Sequence, residues 1–126
     1  GRVYSTDICV PISNITECVN FAEEQAEKFG LRAPMVGHLG DGNFHVILPY
    51  DPAKKEMYDK IREFNDLLIK KGLELNGTIT GEHGVGLHKK KYLLEQHADN
   101  MPVMKSIKRT LDSNNIMNPG KIFDLN

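Results

Sequence analysis

The sequence predicts an α+β fold: an antiparallel sheet with both helices on one face, in the ferredoxin-like order β-α-β-β-α-β, followed by a C-terminal helical tail. Three observations predict it. Two long segments, near 14–29 and 53–75, repeat apolar residues at helical spacing. Strand-like runs precede, separate and follow them. The middle two runs meet across Asp41-Gly42, a strong hairpin signal.

Each element has its own warrant. "STDICVPIS" is rich in β-formers and is stopped by Pro11, giving a strand at about 5–10. Ile15, Cys18, Val19, Ala22, Ala26 and Phe29 then recur on one helical face, with Ser13 or Asn14 to cap the start and Gly30 to end it. "APMVGHL" and "NFHVILPY" are the hairpin strands. Asp51-Pro52 opens the second helix, whose stripe is Met57, Ile61, Phe64 and Leu68. "NGTIT" (76–80) reads as a turn and a short strand, and "GEHGVG" (81–86) as a Gly-rich loop. Helices are expected at about 89–97 and 101–114, before a loop-like end in "NNIMNPGKIFDLN".

At 126 residues the chain is expected to form a single domain, 1–126, with a core of its own. A first residue of Gly1 rather than Met is expected of a piece of something longer. No run approaches the roughly 18 apolar residues of a membrane span, and no signal-peptide pattern is visible. The formal net charge of −1 offers nothing to nucleic acid. It conceals an asymmetry: residues 1–82 carry a net −4 and residues 83–126 a net +3, the latter including "HKKK" at 88–91. Such a run is most simply a solvated face. Cys9 and Cys18 belong to no CxxC pair and are expected to be reduced, buried thiols in a cytoplasmic setting.

The chemistry concentrates in two stretches. In "GHLGDGNFH", a two-residue turn at Asp41-Gly42 sets His38 opposite His45, with Cβ atoms about 5 Å apart. Two imidazoles so placed can grip one ion, since Zn–N bonds are about 2.0–2.1 Å. Alternation puts Met35, Leu39, Phe44, Val46 and Leu48 on the face that the helices cover. His38, Asn43, His45, Val36 and Ile47 fall on the other. That second face is expected to be open, and its apolar residues call for cover by another domain or subunit. A histidine pair alone fits ordinary surface or structural residues better than a metal site.

The second stretch is Glu82-His83 in "GTITGEHGVG". Thr78, Thr80 and Glu82 share one parity and Ile79 takes the core parity, so Glu82 can present its carboxylate on the histidine face. The first strand should lie between, so the glycines must let this loop bend inward. Two histidines and a carboxylate suit zinc, manganese or iron, and the remaining His83 suits a general base. The glycine spacing is neither a dinucleotide fingerprint nor a P-loop, and no HExxH helix is present.

"GHLGDGNFH", "GTITGEHGVG" and "IMNPGKI" occur in the order found in the C-terminal domain of the FAD-linked oxidases. Within that group the chain resembles the D-lactate dehydrogenase, glycolate oxidase and D-2-hydroxyglutarate dehydrogenase branch of the vanillyl-alcohol-oxidase flavoproteins. The resemblance spans "STDICVPIS" to "NPGKIF". It implies the later part of a substrate-binding cap, with FAD held mainly by an upstream FAD-binding domain. It implies a divalent metal, Zn or Mn, on His38, His45 and Glu82. His83 would take the hydroxyl proton, and Asn118 and Lys121 would approach the flavin. The activity implied is oxidation of a small 2-hydroxy acid to a 2-oxo acid by hydride transfer to FAD, with electrons passed to an external acceptor. The domain by itself should be inactive. Ile47 stands where the hydroxyglutarate branch often has Asn, which favours a smaller, less polar substrate such as D-lactate. A cytoplasmic location is expected, with a mitochondrial or membrane-peripheral one in keeping with the branch, and a homodimer is left open. The rival readings are a non-catalytic ferredoxin-like binding module, with "HKKK" meeting a partner, and a metal-dependent hydrolase built on the same His/His/Glu set.

Overall fold

The computed structural model describes residues 1–125, which form two compact units, 1–83 and Gly84 onward. In the first unit the elements run β1 (Arg2–Ser5), β2 (Ile8–Cys9), α1 (Ile15–Phe29), β3 (Met35–His38), β4 (Asn43–Tyr50) and α2 (Lys55–Glu74). β4 is the centre of the sheet. β3 flanks it antiparallel on one side, with Met35 opposite Val46 and His38 opposite Asn43. β1 and β2 flank the other side in one continuous register, from Arg2 opposite Tyr50 to Cys9 opposite Asn43. They are therefore a single first strand interrupted at Thr6-Asp7. Beyond it Cys9 bridges to Thr78, whose N–H donates to the Cys9 carbonyl at 2.8 Å. The lateral order is that of the ferredoxin-like sheet. The last strand, however, is a single bridge at Thr78, where a turn and a short strand were expected over 76–80.

Both helices cover the face of Phe44, Val46 and Leu48. α1 contributes Cys18, Ala22 and Ala26, small residues that permit close approach, and Gly30 ends it in the left-handed conformation (φ 64°). α2 contributes Ile61, Phe64 and Leu68. Its Gly72 crosses over Ile8, where a Cβ would lie 2.9 Å from Ile8 Cγ1, so glycine is what lets this turn descend onto the strand.

The hairpin departs from expectation. Its loop is a short 3₁₀ turn at Leu39–Asp41 closed by Gly42, not a two-residue turn at Asp41-Gly42. Gly42 is drawn into the first strand's ladder: Val10 N–H donates to its carbonyl at 2.9 Å, and a side chain there would strike the Val10 carbonyl. Its left-handed φ of 78° completes the turn. His45 consequently faces Val36, and His38 faces Asn43. The slip is by two residues in the pairing sum, so the residues that stay paired keep their faces. Leu39, expected in the core, is instead carried into the turn and is exposed.

The second unit contains α3 (Lys90–His97) and α4 (Met101–Leu111), joined by a 3₁₀ turn. α4 stops at Leu111, short of the expected 114. Asp112 leaves the helix and its buried carboxylate accepts from Ile116 N–H at 3.0 Å and Met117 N–H at 2.9 Å, with Lys108 as its counter-ion. Lys90 pairs with Asp124 at 2.6 Å, and Ile122 N–H donates to the Gly86 carbonyl at 2.7 Å. Among the described residues no helix is long and apolar enough to cross a membrane.

Candidate metal and proton-transfer site

The site is built where the first strand breaks. At Thr6 the backbone still donates to the Val46 carbonyl, at 3.1 Å, but Val46 N–H is received by the Thr6 hydroxyl, at 2.8 Å. The Thr6 carbonyl is thereby released from the ladder and accepts from His45 Nδ1 at 2.9 Å. A carbonyl can only accept, so Nδ1 carries a proton and Nε2 is the atom left for other work. Nε2 lies 2.8 Å from Glu82 Oε1. In the neutral ring this sets two acceptors against each other. A proton or a cation shared between them resolves the conflict.

Asp7 explains why Glu82 is there at all. Its side chain is buried, and its carboxylate gathers the loop: the Thr80 hydroxyl, Gly81 N–H at 2.9 Å, Glu82 N–H at 3.2 Å and His83 N–H at 3.0 Å all donate to Oδ2. A backbone turn closing on a carboxylate in this way strips the chain from the sheet edge just after Thr78, which is why the expected last strand is so short. It also folds the loop over the histidine face. The face expected to lie open is closed over Asn43 and His45 by the chain itself, while Val36 stays exposed. Gly81 allows the approach, since a Cβ there would sit 2.5 Å from Asn43 Oδ1 and 2.6 Å from Asn43 Cγ. Asp7 was not singled out from the sequence. The available signal was a polar Ser5-Thr6-Asp7 run ahead of the apolar Ile8-Cys9-Val10.

Of the predicted site residues, His45, Glu82 and His83 come together. The His83 ring stacks on His45 with centroids 4.7 Å apart and planes 8° from parallel. His38 shares their face but lies diagonally from His45 at the end of β3, exposed, so the structure does not bring it into contact with them. Asn118 and Lys121 lie in the second unit, on an exposed turn where Asn118 takes a positive φ of 48° and its carbonyl accepts Lys121 N–H at 3.3 Å. Asp7, His45 and His83 also present ligand atoms within 4.8 Å of one another. Four donors converge on Oδ2 of Asp7, so this carboxylate holds the loop in place. The outward-facing pair, His45 Nε2 and Glu82 Oε1, has the nitrogen and oxygen chemistry of a zinc or manganese ligand set. The two cysteines are free, and burial pushes the Cys18 thiol up to about 11.

Known proteins place this chain in a class. The family model of the FAD linked oxidases, C-terminal domain, matches residues 1–122. The chain is 38% identical over 125 residues, 98% of its length, to a probable mitochondrial D-lactate dehydrogenase of Danio rerio, of which it covers 25%. It is 41% identical over 119 residues, 94% of its length, to a mitochondrial D-lactate dehydrogenase [cytochrome] of Arabidopsis thaliana, covering 21% of that protein. To the glycolate oxidase subunit GlcD of Bacillus subtilis it is 37% identical over 118 residues, 93% of its length, covering 25%. The chain belongs to the FAD-linked oxidase C-terminal domain family, and it spans about a quarter of the length of these relatives.

Proposed function

We propose that this chain is the C-terminal, substrate- and metal-binding part of an FAD-dependent D-2-hydroxy acid dehydrogenase of the D-lactate or glycolate type. Family membership supports the flavin chemistry, as do relatives named for D-lactate and glycolate oxidation. The observation that carries the site is His45 Nε2 facing Glu82 Oε1 at 2.8 Å, while Nδ1 is committed to Thr6. That pair fits a divalent cation, Zn or Mn, with His38 as a further ligand from the same face. Asn118 and Lys121, exposed on their turn, suit an approach to the flavin.

A bound divalent cation lowers the pKa of a coordinated hydroxyl, and FAD supplies the hydride acceptor. The chain's own residues do the rest. His45, locked in one tautomer by Thr6, and Glu82 fix where the substrate oxygens sit. His83, held through its backbone by Asp7 and through its ring by the stack on His45, takes the proton from the 2-hydroxyl. Loss of that proton together with a hydride from the α-carbon leaves a 2-oxo acid. Ile47 offers no polar group beside the histidines and favours a short, apolar substrate side chain. An upstream FAD-binding domain, an external electron acceptor and a mitochondrial location, as in the names of several relatives, complete this reading.

In the full-length enzyme His83→Ala should lower turnover at least 10²-fold with metal content unchanged, and His38→Ala should remove the metal. Near-normal turnover in the first variant, or unchanged metal by elemental analysis in the second, would overturn the respective role.

A further inference from the structure

Among the described residues, one buried side-chain oxygen stands without a hydrogen-bond partner: Asn43 Oδ1. Asn43 is only 7% exposed. A buried oxygen left dry and unpaired is costly, so its position calls for a donor that arrives from elsewhere. Its surroundings narrow the choice. On one side the amide is roofed by Gly81, whose own N–H is taken by Asp7. Across the hairpin it is paired directly with His38, and residues so paired have Cβ atoms about 5 Å apart on the same face. His38 is exposed and its side chain has no hydrogen-bond partner among the described residues, whereas His45 has its Nδ1 proton held by the Thr6 carbonyl at 2.9 Å.

A metal-bound imidazole donates its non-ligating N–H to an oxygen acceptor, which sets the tautomer and the ring plane. His45 already has such an acceptor. We infer that Asn43 Oδ1 is the matching acceptor for His38, so that Asn43 is a positioning residue which turns an exposed, uncommitted histidine into a ligand. The "N" of "GDGN" thus serves the histidine across the turn, as Thr6 serves His45 across the sheet. This rests on the metal reading above.

The test is zinc binding by the full chain, with zinc alone as the probe, followed by titration calorimetry and by NMR of the histidine ring nitrogens. In the zinc-loaded wild type the non-ligating ring N–H of His38 should be protected from exchange with water. Asn43→Ala should weaken zinc binding 10–100-fold and abolish that protection, and Asn43→Asp, which keeps an oxygen acceptor, should restore both. Wild-type affinity in Asn43→Ala, or an Asn43→Asp variant as weak as Asn43→Ala, would overturn the inference and leave the metal site standing if His38→Ala still loses zinc. A freely exchanging His38 ring proton in the loaded wild type would overturn it without recourse to any variant. Failure of the wild type to take up zinc or manganese would overturn the metal reading, and this inference with it.

Discussion

The two compact units spend their apolar residues differently. In residues 1–83 the strands and helices close around Ile8, Cys18, Phe44, Val46, Ile61, Phe64 and Leu68, each 1% exposed or less. Among the described residues from Gly84 onward, only Tyr92, Leu93 and Met101 are buried apolar side chains. Val103, Ile107 and Leu111, one helical turn apart along α4, stay 62%, 55% and 79% exposed. The reason lies in element type. A sheet offers a continuous apolar face that two helices can cover, whereas two short consecutive helices have little to share. The polar groups follow suit. The first unit spends a buried carboxylate, Asp7, on shaping a loop with chemistry in it, and the second spends one, Asp112, on stopping a helix.

That contrast can be broken or sharpened by substitution. Phe64→Ala should cost about 3–5 kcal/mol, because it empties the middle of the first unit. Denaturant unfolding would measure it, and a loss below about 1 kcal/mol would mean the core is not where the burial puts it. Asp7→Ala should cost about 2 kcal/mol, mainly through the loop amides it strands. Amide exchange at Gly81, Glu82 and His83 should accelerate well before that of β4, and uniform exchange would count against Asp7 as the organiser of the loop.

The units should also differ in their response to pH. Burial raises the Cys18 thiol from 9.0 to about 11 in the folded state, so only the unfolded chain ionises between those values. Stability linked to Cys18 is full below pH 9 and declines as the pH climbs toward 11, by about 2 kcal/mol. The decline should vanish in Cys18→Ala. Asp112 has the opposite sign: Lys108, then the Met117 and Ile116 amides, hold its carboxyl below 3.8. Its contribution is present above that value and is lost as the pH falls through the folded value. Helical signal from the second unit should therefore be acid-sensitive, and Asp112→Asn should remove that sensitivity. The smallest effect belongs to Ile107→Ala, within about 0.5 kcal/mol. A large loss there would show that the α4 stripe is covered rather than exposed.

Much of the fold was legible because it depends on short-range pattern. Helical spacing located α1 and α2 to within about two residues at either end, and strand parity assigned the faces of the paired residues, Leu39 in the turn being the exception. Parity survived even the misplaced turn, because a slip of two residues leaves each paired side chain on its own side. The site was legible in part for the same reason. His45, Glu82 and His83 stand where alternation and a glycine-rich loop can deliver them.

What the sequence by itself determined is which side chains share a face and which family the chain belongs to. Tertiary structure alone decided the rest, since it turned on single hydrogen bonds between segments far apart in the chain. Val10 claimed Gly42 and shifted the hairpin, exposing Leu39 and pairing His38 with Asn43. Asp7 claimed the loop at 80–83, cut the expected short strand to one bridge and drew the glycine-rich loop in over His45. Such bonds are worth about a kilocalorie each and leave no periodic trace, so the polar run Ser5-Thr6-Asp7 was their written sign.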